Sequence, residues 1–284
     1  MPDTSTPPSE SPVPSSKDPA PAHLGSSQRW TVDIDTRWGD ILLLVCFLVA
    51  GLVDSAAFNM YGCFVSMQTG NTIFVGLGVS GQPENLPGKA WSRCFLAIVC
   101  FAIGALFFSS FHRHFGPQKR WVLAASFFIQ ALITGIVALL ATTGAVHNKP
   151  QGRETIHRDG NIIETVRDSF PWTDFAPITL LAFQSAGQIV ASRVLKYNAM
   201  PTVVLTSLYC DLMSDARLFT APVTDNADRS RRSVGAVLLF AGAVGGGFLS
   251  KSWTGFAGAL WIAAFLKTVI AVAWCCWKPK GPKI

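Results

Sequence analysis

The chain has 284 residues, 50% of them hydrophobic and 14% charged, with a net charge of +6 and a pI near 9.0. A soluble domain carries about a quarter charged residues, so this composition leaves too few to solvate a large surface and excludes an ordinary soluble enzyme. The excess of Lys and Arg does not point to nucleic acid either. His112-Arg113-His114, Lys119-Arg120, Arg229, Arg231-Arg232 and Lys278, Lys280, Lys283 sit at the ends of apolar runs, where membrane proteins anchor their cytoplasmic loops beside anionic lipid.

Residues 1–28 hold seven prolines and many serines and no apolar run. They cannot bury enough surface to fold, and they lack the apolar core of a signal peptide. Residues 1–38 are therefore expected to form a disordered, Pro/Ser-rich cytoplasmic tail. Deleting residues 1–28 should leave insertion intact, which fractionation of the truncated protein into a membrane pellet would check. The first transmembrane helix then acts as the internal insertion signal.

Six apolar segments follow that read as ordinary spans: about 41–60, 91–111, 121–143, 176–196, 234–250 and 253–276. Each is near the ~20 residues a helix needs to cross ~30 Å of hydrocarbon. Lys267 interrupts the last of them, which resumes to Trp277. Two further segments are broken. Gly62–Gly78 carries Gln68-Thr69-Gly70-Asn71-Thr72 in its middle, and Met200–Phe219 opens on Pro201-Thr202 and later carries Thr206, Asp211 and Asp215. Backbone groups freed at such breaks must be satisfied by protein or trapped water. The helix-competent part after Thr69 is about ten residues, too short to cross alone, which favours six spans with two re-entrant segments over eight spans.

An offset of 134 residues sets Asp54 against Gln188 and Thr72 against Thr206. The order of events also repeats: a helix with one polar residue, a broken Thr-rich segment, a helix, a basic loop and a helix. The predicted fold class is all-α, a polytopic transmembrane helix bundle with a two-fold internal repeat. Residues 39–145 form the first repeat, 146–174 a polar linker loop, 175–277 the second repeat, and 278–284 a basic cytoplasmic tail. With three spans per half the repeats are inverted, and the broken segments meet near the midplane, as in many secondary transporters.

Polar residues inside the spans are the candidate site. A carboxylate at a helix centre costs roughly 2.5–3.5 kcal/mol on insertion scales and normally faces the bundle interior, so Asp54 either binds a proton, cation or substrate amine or caps the broken segment. Gln68, Thr69, Asn71 and Thr72 form a polar knot that suits a cavity lining, with Thr69 placed to cap a half-helix starting at Gly70. Gln184 and Gln188 lie one turn apart on one face, and Thr202 and Thr206 repeat the arrangement of the first half. Asp211 and Asp215 read as interfacial partners of Arg217, and Gly242 with Gly246 as a GxxxG packing face. The cysteines Cys46, Cys63, Cys94, Cys100, Cys210, Cys275 and Cys276 include no CxxC and read as small buried hydrophobes. No GxSxG, P-loop, HExxH or dinucleotide fingerprint is present. No metal or cofactor is expected, and the chain does not read as an enzyme.

The block Gly51-Leu-Val-Asp54-Ser-Ala-Ala-Phe58, Gly62-Cys-Phe64-Val-Ser and Thr69-Gly-Asn-Thr72 resembles the signature of the YoaK-like family of integral membrane proteins (domain of unknown function 1275). Ala182-Phe183-Gln184, Gly187-Gln188, Arg193 and Pro201-Thr202-Val-Val-Leu-Thr206 resemble its second signature, and the resemblance spans roughly residues 38 to 277. The tail and the second half look like the fungal branch, and Gln188-Ile189 stands where the bacterial pattern has Gln-Asn. The resemblance implies a polytopic protein of about six helices and names no activity, substrate or cofactor. The expected function is a small secondary transporter or permease with a polar site between the repeats. The alternative is a non-transporting membrane component, an assembly factor or sensor, whose polar knot is structural. The expected partners are the lipid bilayer and a small-molecule or ion substrate, with a homo-oligomer left open and nucleic acid excluded. The plasma membrane is the favoured location.

Overall fold

The computed structural model describes residues 31–82, 90–149, 154–158, 161–165, 172–197, 199–200, 202, 204–220, 222 and 225–280. Its helices are α1 (Gly39–Tyr61), α2 (Gln68–Val79), α3 (Ala90–Phe115), α4 (Arg120–Thr142), α5 (Phe175–Val194), α6 (Leu205–Met213), α7 (Ala227–Lys251) and α8 (Gly255–Cys276). Six of these, α1, α3, α4, α5, α7 and α8, are long and apolar enough to cross a membrane. At 1.5 Å per residue α2 and α6 reach only ~18 Å and ~14 Å, well short of the ~30 Å hydrocarbon core. A two-stranded antiparallel hairpin, β1 (Glu154–Arg158) with β2 (Asn161–Thr165), stands in the linker where a loop was expected.

The loop contacts sort the helix ends onto two faces. On one face Ile34 N donates to Gln118 O (3.1 Å) and Asp35 N to Lys278 O (3.0 Å). There Gln118 Nε2 donates to Val194 O (3.1 Å), and Arg231 pairs with Asp40 (2.8 Å). On the other, Arg93 Nη1 donates to Tyr61 O (2.6 Å), His147 meets Asp174 (3.0 Å), and Asn148 Nδ2 donates to Thr254 O (3.1 Å). The starts of α1, α4 and α7 thus share a face with the ends of α3, α5 and α8. The second set of three spans therefore runs opposite to the first, and the repeat is inverted. The 134-residue offset carries 39–61 onto 173–195, 68–79 onto 202–213 and 120–142 onto 254–276, which fall on α5, α6 and α8.

The packing obeys the same symmetry. The first helix of each repeat packs on the third element of the other, α1 on α7 and α5 on α3, while the last helices α4 and α8 pack on each other. The first pair approaches through glycine. A Cβ on Gly51 would stand 2.0 Å from Leu239 O, and one on Gly242 2.1 Å from Leu48 O. Gly246 faces the Ser55 hydroxyl in the same seam, so the GxxxG spacing packs α7 against α1. The contact in the other pair is similar, with Gly104 of α3 against Phe183 O. In a bilayer, where lipid is as apolar as leucine, such close backbone approach supplies the dispersion energy that holds helices together. Gly242→Leu is expected to cost about 1–3 kcal/mol or more by forcing α1 and α7 apart, read as a lowered melting temperature in detergent.

Three expectations change at the element ends. Residues 31–38 do not belong to the tail: Asp33 pairs with Lys119 and Ile34 with Pro279 as isolated bridges, and Ile34 is 1% exposed. Residues 278–280 are held by the same bridges, since Lys280 N donates to Asp33 O (2.8 Å). The expected tail 1–28 lies outside the described residues. Helix α7 starts at Ala227, a full two turns before its apolar run, because the Asn226 side chain caps it by accepting Arg229 N (3.1 Å). Hydropathy marks where charge ends, not where a helix begins. Asp211 lies near Arg232 (3.7 Å), and Asp215 accepts from Asn226 Nδ2 (2.7 Å) and from the Arg217 backbone (2.9 Å).

Candidate substrate and ion site

Gly62 ends α1 in the left-handed region (φ 65°), its N–H returning to Phe58 O at 2.8 Å. That conformation needs no Cβ, and it lets the chain turn back into the bundle. Asp54 halts the descent. Its Oδ1 accepts from Val65 N (2.9 Å) and Ser66 N (2.8 Å), and the Ser66 hydroxyl donates to Oδ2. Asp54 lies seven residues before the end of α1, so the turn reaches ~10 Å below that end. Helix α2 then climbs back toward the same face.

The turn is clamped a second time. Asn71 Oδ1 accepts from Phe64 N (2.9 Å), and its Nδ2 donates to Phe64 O (2.6 Å) and to Gln68 Oε1 (2.8 Å). Gln68 Nε2 donates to Val65 O (2.9 Å). Asn71 and Gln68 thus satisfy the backbone groups that the break in helical pairing sets free. No side chain caps α2 at Met67. The anion at its start is the Asp54 carboxylate, held against the amides just ahead of the helix, where the helix dipole favours negative charge.

A second ionisable side chain lines the same space. Lys267, in the middle of α8, is 1% exposed. Its Nζ donates to Gln130 Oε1 of α4 (2.8 Å) and Gln184 Oε1 of α5 (2.5 Å). Asp54 and Lys267 both line an internal cavity of about 10 Å³, together with Ser66, Gln184, Ser185 and Gln188 among others. That is room for about one water molecule. The lining comes from α1, the re-entrant turn, α5 and α8, so the cavity sits where the two repeats meet.

Of the residues expected to form the site, Asp54, Gln184 and Gln188 line this cavity. Gln68 and Asn71 instead brace the turn from outside it. Thr69 and Thr72 are exposed, on the outer face of α2, with the Thr72 hydroxyl donating to Gln68 O (2.9 Å). A helix period of 3.6 turns positions 68 and 71 inward and carries 69 and 72 outward. Thr206 is likewise exposed, whereas Thr202 is fully buried and its hydroxyl has no partner among the described residues. Pro201 lies outside the described residues. None of the described residues of the second broken segment lines the cavity. Its Met200 and Leu208 belong to an apolar cluster that Met67 of the first segment also touches. Lys267, Gln130 and Ser66 are site residues that the sequence reading did not include. Lys267 carried the signal, a single charge at the centre of an apolar span.

An inverted repeat of three spans and one half-helix, with a charged cavity at its junction, defines an integral, multi-pass membrane protein of the helical-bundle class. Residues 42–273 match the family model described as a protein of unknown function (DUF1275), and the chain belongs to that family. No curated protein and no solved structure is detectably similar to it.

Proposed function

We propose that the protein is a small secondary transporter whose substrate passes through the cavity between its repeats. The observation that carries this reading is that a buried carboxylate, Asp54, and a buried ammonium, Lys267, line one internal cavity at the repeat junction. A site at the junction of inverted repeats, lined on one side by the turn of a re-entrant segment, suits the alternating exposure by which such transporters work. Ionisable groups kept at such depth mark ion or substrate pathways. A cavity of one water's size fits an occluded state that must widen to admit a solute.

A second reading, a non-transporting component of the membrane, draws on one observation. The hydrogen bonds of Asp54 and Asn71 all close on the re-entrant turn itself, as a purely structural clamp would require. Lys267 separates the two readings, because its ammonium braces no turn.

The test is solute flux through purified protein in liposomes, profiled over small organic ions, amines, acids and neutral solutes, with and without a pH gradient. Transport predicts at least one solute class moving ~10-fold faster than through protein-free liposomes, at the level of a catalysed pathway. Flux at background for every class under both conditions would favour the structural reading. The plasma membrane is the proposed location, which imaging of the tagged full chain would check.

A further inference from the structure

We infer that the coupling ion is the proton and that Lys267 carries it, exchanging it through the cavity shared with Asp54. This rests on the transport reading above, and it adds the identity of the ion and of the group that binds it.

An ammonium has three N–H donors, and a neutral amine has two and a lone pair. Lys267 Nζ gives two donors to two carboxamide oxygens, those of Gln130 and Gln184. Both protonation states can keep both bonds. Only the third position changes, from a donor to a lone pair, and Lys267 lines the cavity. The step is a plain transfer: the ammonium gives one proton to the cavity water, the N–H electron pair stays on nitrogen as the lone pair, and the hydronium passes the proton on. Carboxamide partners make this exchange symmetric, whereas a carboxylate in direct contact would fix the charge.

The cavity offers little to a metal cation, which needs several oxygens at once. Both Asp54 oxygens already accept donors from the turn. The Ser66 hydroxyl donates to Asp54, and the single proton of the Ser185 hydroxyl has Val65 O and Ala182 O as acceptors, each at 2.8 Å. Gln184 Oε1 faces the ammonium. Apart from Gln188, the polar side chains lining the cavity are engaged with donors or acceptors, and one of them is a cation. The space suits a water and a proton, not the oxygen cage of sodium.

The groups facing Lys267 are few. Helix α1 brings Asp54 to the same cavity and the Cys46 thiol nearby. Helix α4 brings Gln130 and α5 brings Gln184, both neutral, and none of the buried residues of α7 is charged.

The experiment records charge displacement from proteoliposomes of the full chain adsorbed on a solid-supported membrane, with no solute added. Jumps between pH 6 and pH 9 are compared with sodium jumps at fixed pH. A proton bound in the middle of the membrane moves charge part of the way across it, so the wild type is expected to give a pH-driven transient well above protein-free liposomes and none with sodium. Lys267→Met and Lys267→Arg should each cut that transient at least ten-fold, because methionine cannot be charged and arginine does not lose its charge. Thr72→Val, on the exposed outer face of the first half-helix, should keep it. No wild-type transient, an equal sodium transient, or a transient kept in Lys267→Met would each overturn the inference. Should Lys267→Met fail to fold, the variant Lys267→Met, Gln130→Leu, Gln184→Leu, which removes the charge together with its acceptors, takes its place. The readout needs no turnover, so its failure is distinct from an absence of solute flux, which bears on the transport reading alone.

Discussion

Replacing Asp54 by leucine should destabilise the protein by about 3 kcal/mol or more, at ~1–3 kcal/mol for each buried donor left without an acceptor. Three donors depend on this carboxylate: Val65 N, Ser66 N and the Ser66 hydroxyl. Asp54 is 2% exposed, so bulk water cannot take over. Asp54→Asn has a different outcome. Its carbonyl can keep both backbone bonds, and the Ser66 hydroxyl can rotate to accept from the new amide. Asn should cost about 1 kcal/mol, the net worth of a typical hydrogen bond. Melting temperatures of the purified variants in detergent measure the gap. Equal losses for Leu and Asn would mean that charge, not acceptor geometry, holds the turn in place.

The second large effect is expected at the glutamines that hold Lys267. Gln184→Leu removes one of the two carboxamide acceptors of a buried ammonium, and Gln130→Leu removes the other. Leaving a buried donor without its acceptor costs roughly 1–3 kcal/mol, and more when the group is charged. Hydrogen bonds inside membranes are often worth less than this, near ~0.6 kcal/mol on average, but those are neutral pairs. The decisive comparison is the triple variant Lys267→Met, Gln130→Leu, Gln184→Leu. It removes the charge together with its acceptors, so it should recover most of the stability lost in Gln184→Leu alone. A triple variant less stable than the single one would show that the three residues do not act as a unit.

Much of the fold was legible because a bilayer leaves few options. Uncharged runs near twenty residues are spans, and a Gly- and Thr-rich segment too short to cross has to re-enter. The 134-residue offset then reproduced the order of the helices, since both repeats keep the same spacing of elements. Helix ends were less legible, because Arg229, Arg231 and Arg232 are helical although they are charged.

Within the site, Asp54 and Gln188 stood out as polar positions in apolar helices, and both line the cavity. The Thr-rich knot misled. Density of polar residues does not tell which side of a short helix faces inward, and the exposed Thr69 and Thr72 alternate with the inward Gln68 and Asn71. Lys267 was visible but read as an interruption. Its meaning depends on Gln184 and Gln130, 83 and 137 residues away, and no local pattern records such a meeting.

The proposed transport requires the cavity at the repeat junction to open to each face of the membrane in turn. Gln188 lines that cavity and makes a clean reporter. The measurement is labelling of Gln188→Cys, in a chain whose seven native cysteines are replaced, by a membrane-impermeant maleimide added to one face at a time in vesicles of known orientation. Alternating access predicts labelling from either face, slowed by a solute that is transported. Labelling from neither face, or from one face only under all conditions, would contradict it and leave Asp54, Lys267 and their partners as a structural knot.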